Sequence, residues 1–325
     1  MGFALTFFAR RLAQGVLIVL LVSFTIFALL RMVPGDPARI ILGPMATDAV
    51  VEQTARDLGL RDPIIVQYVR YLGQVAQGNF GNSFIRAQGG GAVGGGRDEA
   101  RGERARVLDL VAETLPMTLR LAGIALVFTA LIALPLGIAG GLMAGRWPDK
   151  LALYASSIFV SMPNFWLAIV LALVVTAKLG WIPSIGYRNI TYAILPAFVI
   201  AIEMSPLFIR ALSVAIADTL RSPFVELAQV RGLSPRRIFT HHVFRNASIP
   251  VLNLFGVQIG ALLGGVLIVE YIFDYPGFGL LTVQAVLQRD FPVIQGIAII
   301  STSIFVVINI LVDFVSAQID PRIDY

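Results

Sequence analysis

FVELAQVRGLSPRRIFTHHVFRNASIP, residues 224–250, is a polar, basic island between two long apolar runs. Its reading decides the fold, because its flanks have the character of helix embedded in hydrocarbon and it has the character of a surface that meets water. Phe224, Leu227 and Ala228 recur at i, i+3 and i+4, which gives a short helix one apolar face. Gly232 stands where that helix stops, since glycine takes the left-handed C′ conformation at little cost. Ser234 and Pro235 supply an N-cap hydroxyl and an N1 proline, so a second helix starts at once. Arg231, Arg236, Arg237 and Arg245 run along the pair, which reads as a compact docking element. Two other roles suit the same residues. A basic helix–turn–helix binds DNA, though tethering between membrane spans argues against nucleic acid here. A basic interfacial helix anchors a loop to anionic lipid.

Composition sets the class. Of 325 residues, 57% are hydrophobic and 14% charged, and the mean hydropathy is +0.81. A soluble chain carries roughly a quarter charged residues, so the deficit marks an integral membrane protein in contact with the lipid bilayer, and its long apolar runs lead to the expectation of an all-α fold. The chain has no cysteine, hence no disulfide, thiolate metal site or cysteine nucleophile. Its histidines are His241 and His242, adjacent in sequence and so about 100° apart on a helix, which does not favour one shared metal. Its lysines, Lys150 and Lys178, end no G-x-x-x-x-G-K-[ST] run. No cofactor is expected on this chain, and any ATP must bind another subunit.

Six transmembrane helices are expected, at Leu12–Leu30, Leu121–Met143, Leu153–Ala177, Ala193–Leu212, Val251–Phe273 and Val293–Phe314. The first covers about 28 Å at 1.5 Å per residue, close to the hydrocarbon thickness. Arg10 and Arg11 precede it as in a leader, but no A-x-A-like cleavage site follows, and it reads as a retained span. Residues 1–32 form the tail and first span, 33–116 an extracytoplasmic segment, and 117–325 the remaining core with a cytoplasmic loop at 213–250. Within 33–116, Pro34-Gly35-Asp36-Pro37 ends the span, and Asp48–Leu58 and Ile64–Val75 read as amphipathic helices, with Glu52 and Arg56 paired at i, i+4. Residues 88–106 hold seven glycines, six of them ahead of a run of mixed charges, and read as a flexible insert.

Basic residues set the orientation. With the N-terminus inside, Arg10, Arg11, Arg146, Lys150, Arg210, Arg221, Arg231, Arg236, Arg237, Arg245 and Arg322 are cytoplasmic, against Lys178, Arg188 and Arg289 in short outer loops. Both termini are therefore expected in the cytoplasm. Pro135, Pro163, Pro196 and Pro206 interrupt spans, as membrane helices tolerate when neighbours satisfy the freed carbonyls. Gly137, Gly141 and Gly145, and likewise Gly256, Gly260 and Gly264, recur every fourth residue and permit close helix approach or a pathway lining. Glu203 is an acid in mid-span, facing a solute pathway, paired with a partner helix, or hydrogen-bonded in the bundle. Glu270 and Asp313 are expected near span ends, close to water.

Several stretches carry a resemblance. Glu226-x-Ala228, Gly232 four residues on, and Ile249-Pro250 leading into a span resemble the cytoplasmic loop of bacterial ABC-importer permeases, with Leu227 where that family has alanine. ARRLAQGVLIVLLVSFTIFALLRMVPGDPA, DLGLRDPIIVQYVRYLGQVAQGNFGNSF, SMPNFWLAIVLALVVTAKLGWIPSIGY, VEYIFDYPGFGLL, RDFPVIQG and the closing DPRIDY are similar to the dipeptide/oligopeptide/nickel branch, to the first of its two paired permeases. The glycine-rich stretch departs from that pattern. The resemblance implies a type I ABC importer permease in the bacterial cytoplasmic (inner) membrane, forming half of a peptide pathway. It implies a heterodimer with a second homologous permease, two ABC ATPase subunits that bind ATP and Mg, and an extracytoplasmic substrate-binding protein. It implies a coupling loop of Phe224, Glu226, Leu227, Ala228, Arg231, Gly232, Leu233, Ser234, Pro235, Arg236 and Arg237. Nickel is the alternative solute within the branch. An ion-coupled secondary transporter would need paired intramembrane acids or discontinuous helices at repeat-related positions, and a membrane enzyme would need a catalytic cluster. The sequence displays neither.

Overall fold

The computed structural model describes residues 2–87 and 104–319. The chain divides into two compact units, residues 1–116 with 281–306, and residues 117–280 with 307–325.

In the first unit, α1 runs from Gly2 to Met32 and stops at the proline–glycine segment. The Asp36 carboxylate accepts the Ala38 N–H at 2.9 Å and caps α2 (Pro37–Leu42), whose N1 proline has no N–H to satisfy. The two expected amphipathic helices form as α3 (Asp48–Asp57) and α4 (Ile64–Ala76). Arg61 bridges Asp36 at 2.7 Å and Glu52 at 2.8 Å, and Glu52 also receives Arg56 at 3.1 Å. Bonds from Arg61 and then Arg56 hold the Glu52 carboxyl below its ordinary range. The helix α4 packs on α1 through rings. Buried Phe27 meets Tyr68 edge-on at 5.5 Å and stacks on Tyr71 at 5.8 Å, while the Ser23 and Tyr68 hydroxyls bond at 2.8 Å.

Among the described residues the fold departs from all-α at one place. Asn82–Ala87 (β1) and Arg104–Arg106 (β2) pair antiparallel. Residues 104–106 of the expected flexible insert are thus ordered as strand, with Ala105 buried, and 88–103 lie outside the described residues. Beside this ribbon, buried Asp290 accepts the Ser83 hydroxyl, the Phe84 N–H at 3.0 Å and the Val293 N–H. One carboxyl so holds β1 and caps α13 (Phe291–Ile319). Burial pushes that carboxyl up from its ordinary value, and the bonds from Ser83, Phe84 and Val293 draw it back.

The second unit is a helical bundle. Its core joins α5 (Val107–Leu142), α6 (Trp147–Ser161), α7 (Asn164–Leu171, continued by a π-helix Ala172–Lys178), α8 (Ile194–Leu220) and α11 (Phe244–Ile272). Glycines set the α5–α8 approach. A Cβ built on Gly137 would stand 3.0 Å from Leu212 Cβ, and one on Gly141 would stand 2.7 Å from the Ser213 carbonyl. Gly145 does not extend that ladder. It follows the end of α5 at φ +79°, a turn position with nothing near its built Cβ, and Gly140 makes the third close contact instead, at 2.7 Å from Ser213 Oγ. Gly256 approaches Val312, with 2.7 Å from its built Cβ to the valine Cγ1.

The expected span at Leu153–Ala177 is broken: α6 and α7 meet at 90° across Met162-Pro163. Proline removes an N–H and crowds the preceding residue out of helical conformation, which ends α6 there. Pro206 stays inside α8 without such a break. Among the described residues four helices are long and apolar enough to cross a membrane, or five if the bent pair makes one crossing.

Glu270 is also not near water. It has 0% exposure, and its carboxyl accepts the Thr118 hydroxyl at 2.6 Å and the N–H groups of Gly279 at 2.6 Å and Leu280 at 3.2 Å. Thr118 in turn accepts the Phe278 N–H at 2.7 Å. The first three amides of α12 (Phe278–Gln288) are thereby satisfied inside protein. Glu270→Ala strands all the groups bonded to that carboxyl, and each unmet buried polar group costs about 1–3 kcal/mol. The expected outcome is a markedly lower melting temperature for the purified protein, with Thr118→Val intermediate. An unchanged melting temperature for Glu270→Ala refutes this account.

Candidate functional site

The helix α8 ends at Leu220, and Ser222-Pro223 opens α9 (Pro223–Val230), with proline again at N1. The buried face of α9 is Val225 and Ala228, which pack with Leu212 and Ile216 of α8 and with Ile238, Val243 and Ala247. This corrects the expected face. Phe224 and Leu227 point outward with Val230, at 43%, 52% and 81% exposure, so only Ala228 of the expected triplet faces the core. An eight-residue helix with apolar side chains at 224, 225, 227, 228 and 230 has two candidate stripes, and spacing alone does not choose between them. Tertiary packing does.

The turn that follows is a Schellman motif. Leu233 N–H donates to the Ala228 carbonyl at 3.2 Å and Gly232 N–H to the Gln229 carbonyl at 2.9 Å, with Gly232 at φ +74°. Leu233, past the turn, packs on the same small core. Pro235–Ile238 forms α10, and Phe239–Val243 continues as a π-helix into α11. Ser234 sits at the N-cap but its hydroxyl makes no capping bond; its carbonyl instead accepts the Ile238 N–H at 3.0 Å. His241 bonds Thr240 at 2.9 Å. Among the described residues no three His, Cys, Asp or Glu side chains gather as a metal site.

The result is an exposed ridge of Phe224, Leu227 and Val230 beside exposed Glu226, Arg231, Arg236 and Arg237. Exposed apolar side chains rimmed by charge have the chemistry of a surface that meets a protein partner or a lipid face. Val230 was missed by sequence reasoning, and its only signal was being apolar at the end of a short helix.

Glu203 lies apart from this ridge on the exposed stripe of α8. Asn164 Nδ2 donates to its carboxylate at 3.0 Å, and a Cβ built on Gly265 would lie 2.9 Å from it. Of the second glycine series, Gly256 packs on Val312, while Gly260 and Gly264 lie in α11 outside the residues whose surroundings are described.

A bundle of long apolar helices, with one apolar pair bent at a break and an exposed apolar ridge on a short polar connection, has the build of a multi-pass membrane protein. The chain belongs to the binding-protein-dependent transport system inner membrane component family, matched over residues 133–325, with the N-terminal membrane component family of the same systems matched over residues 4–122. It is 32% identical over 321 residues to the glutathione transport system permease protein GsiC of Salmonella paratyphi A, covering 99% of each chain. GsiC of Escherichia coli matches at the same identity and coverage. In fold it is similar to a chain of the inward-facing MetNI methionine ABC transporter, with a TM-score of 0.56 and 16% identity, covering 66% of this chain and 98% of that one. The chain is thus the permease subunit of an ABC importer.

Gly232 tests the local geometry. Nothing stands within 4 Å of a Cβ built there, so its requirement is backbone alone. Gly232→Val strains the turn by about 1–2 kcal/mol and should raise hydrogen exchange at residues 228–238, whereas Gly232→Asn, which tolerates the left-handed region, should leave it near the parent rate. Equal exchange in Val and parent proteins contradicts the assignment.

Proposed function

We propose that this chain forms half of the pathway of an ATP-driven importer for di- or oligopeptides, or peptide-like solutes, delivered by an extracytoplasmic binding protein. In this reading it crosses the bacterial inner membrane six times with both termini cytoplasmic, and α11 supplies the sixth crossing beside the four spans and the bent pair. Residues 33–116 are extracytoplasmic and 117–325 are the core. It pairs with a second homologous permease and with two ABC ATPases that carry the ATP and Mg. It breaks no bond in the solute.

The observation that carries the reading is the two-faced α9. Its inner face is fixed to α8 through Val225 and Ala228, and its outer ridge is left apolar and exposed. A helix held this way is suited to insert into a groove on an ATPase and pass its movement to the bundle. The coupling contacts are then Phe224, Leu227 and Val230, with Glu226, Arg231, Arg236 and Arg237 at the rim. Ala228, Gly232, Leu233, Ser234 and Pro235 shape the element. The solute class is supported by the glutathione named in the relatives.

Uptake of a labelled tripeptide mixture by cells carrying the complete system should persist when the proton gradient is collapsed and ATP maintained, and should stop when ATP is depleted. Leu227→Asp combined with Val230→Asp should leave membrane levels unchanged yet release the ATPases on purification and abolish uptake, at least tenfold. Uptake that tracks the gradient and ignores ATP sinks the importer reading. Retained ATPases in the double variant sink the ridge.

A further inference from the structure

We propose, resting on the peptide-importer reading above, that Glu203 and Arg210 form a two-ended polar track for a short zwitterionic peptide in transit. The peptide ammonium sits at Glu203 and its carboxylate at Arg210. Three observations converge on this pair. Glu203, Leu207 and Arg210 lie at i, i+4 and i+7 on the exposed stripe of α8, and all the other residues from Val199 to Ile209 are buried. Charged groups facing hydrocarbon are costly, so such a stripe inside a span marks water, solute or a partner.

Each charge is also oriented by neutral donors or acceptors from the broken helix pair. Asn164, at the start of α7, donates to Glu203 Oε2 at 3.0 Å. Arg210 donates from Nε to Ser156 Oγ at 3.3 Å and from Nη2 to Ser157 Oγ at 3.0 Å, both on α6. These partners aim the side chains without neutralising them, which leaves both charges available to a ligand. The third observation is the break itself. The 90° bend at Met162-Pro163 falls between Ser157 and Asn164, the residues that orient the two charges. Non-helical backbone within a membrane span is tolerated where it is buried in protein or lines a watery cavity. Gly265 keeps the Glu203 end clear, since a side chain there would meet the carboxylate.

The spacing selects a ligand. Seven residues of helix rise about 10 Å, which an extended peptide of about three residues spans at roughly 3.4 Å each. Leu207, between the charges, offers apolar surface to the middle side chain. Single-ended solutes, such as an amine or a free carboxylate alone, engage one end only.

The chain has no cysteine, so one introduced thiol is the only one in this subunit. Leu207→Cys is placed in the complete transporter, reconstituted in liposomes with its binding protein. It is then reacted with a water-soluble methanethiosulfonate while a defined mixture of alanine, phenylalanine and lysine tripeptides is delivered. We expect ready modification, slowed at least fivefold by the peptides. Protection should vanish when Glu203→Gln or Arg210→Gln is added and should return in part with Arg210→Lys. If Leu207→Cys fails to assemble, the concentration dependence of ATP-driven tripeptide uptake is compared in the parent, Glu203→Gln and Arg210→Gln transporters: a KM raised at least fivefold in both variants supports the track, and an unchanged KM in both overturns it. A thiol that reacts only after the second permease is removed makes the stripe a subunit interface and overturns the track, as does protection that ignores both charge changes. Tripeptide uptake by the parent transporter in the same liposomes separates the two levels. Intact ATP-driven uptake without thiol protection defeats the track alone, and absent uptake defeats the peptide-importer reading.

Discussion

The second unit depends on a carboxyl group that water does not reach. The first amides of a helix have no partners within it, and in a buried setting each needs an acceptor from elsewhere. At α12, Glu270 and Thr118 divide that task, with Glu270 accepting from Gly279 and Leu280 and Thr118 accepting from Phe278. The last turn of α11, the start of α12 and Thr118 on α5 are thereby bound at one point. The approach is close enough that glycine is required on both sides of Phe278. A side chain at Gly277 would run into the Glu270 carboxyl, and one at Gly279 would lie 2.7 Å from the Leu267 Cα. The first unit solves the same problem with Asp290, which caps α13 while holding Ser83 and Phe84 of the strand ribbon.

Within the second unit α8 has a different role on each side. Toward α5 it presents Leu212 and Ser213 to Gly137, Gly140 and Gly141, an approach that larger residues on α5 would prevent. One turn further, Leu212 and Ile216 accept Val225 and Ala228 of α9. The same helix also carries Glu203 and Arg210. The exposed ridge of α9 and the polar stripe thus meet on one helix, and a shift of α9 that preserves its packing must be shared by α8.

The parts of this structure legible in sequence are those governed by local rules. Long apolar runs became long helices, and Pro34 to Pro37, Gly232 and Pro235 fell where helices stop or start. Helix ends were less legible. The helix α8 runs on to Leu220, beyond its last apolar run, and α11 begins at Phe244, before the expected Val251. Amphipathic ends continue a helix into water without any change in backbone geometry. What needed three dimensions was the choice of face. Glu270 looks like an ordinary charge near a span end until Thr118 and the first amides of α12 reach its carboxyl, and Arg210 counts with the cytoplasmic basic residues until Ser156 and Ser157 of α6 are found to orient it. In sequence Pro163 and Pro206 look alike as tolerated interruptions, yet Pro163 breaks its span while Pro206 does not break α8. The difference is that Met162 leaves helical conformation for extended backbone, at φ −94° and ψ 115°.

The hold on α9 is modest, and this bears on coupling. An eight-residue helix is marginal alone, and its inner face buries one valine and one alanine, which contributes about 2–3 kcal/mol. The ridge exposes three larger side chains, Phe224, Leu227 and Val230. Burying these in a partner offers several kcal/mol more, at least as much as the bundle itself supplies. A partner with a matching groove can therefore grip α9 as firmly as the membrane unit does. Under the proposed assignment, the direction of that grip must then be set by the backbone at each end of the helix. The Ser222-Pro223 start and the Gly232 turn supply it, because neither end can rotate without losing its hydrogen bonds or its allowed φ.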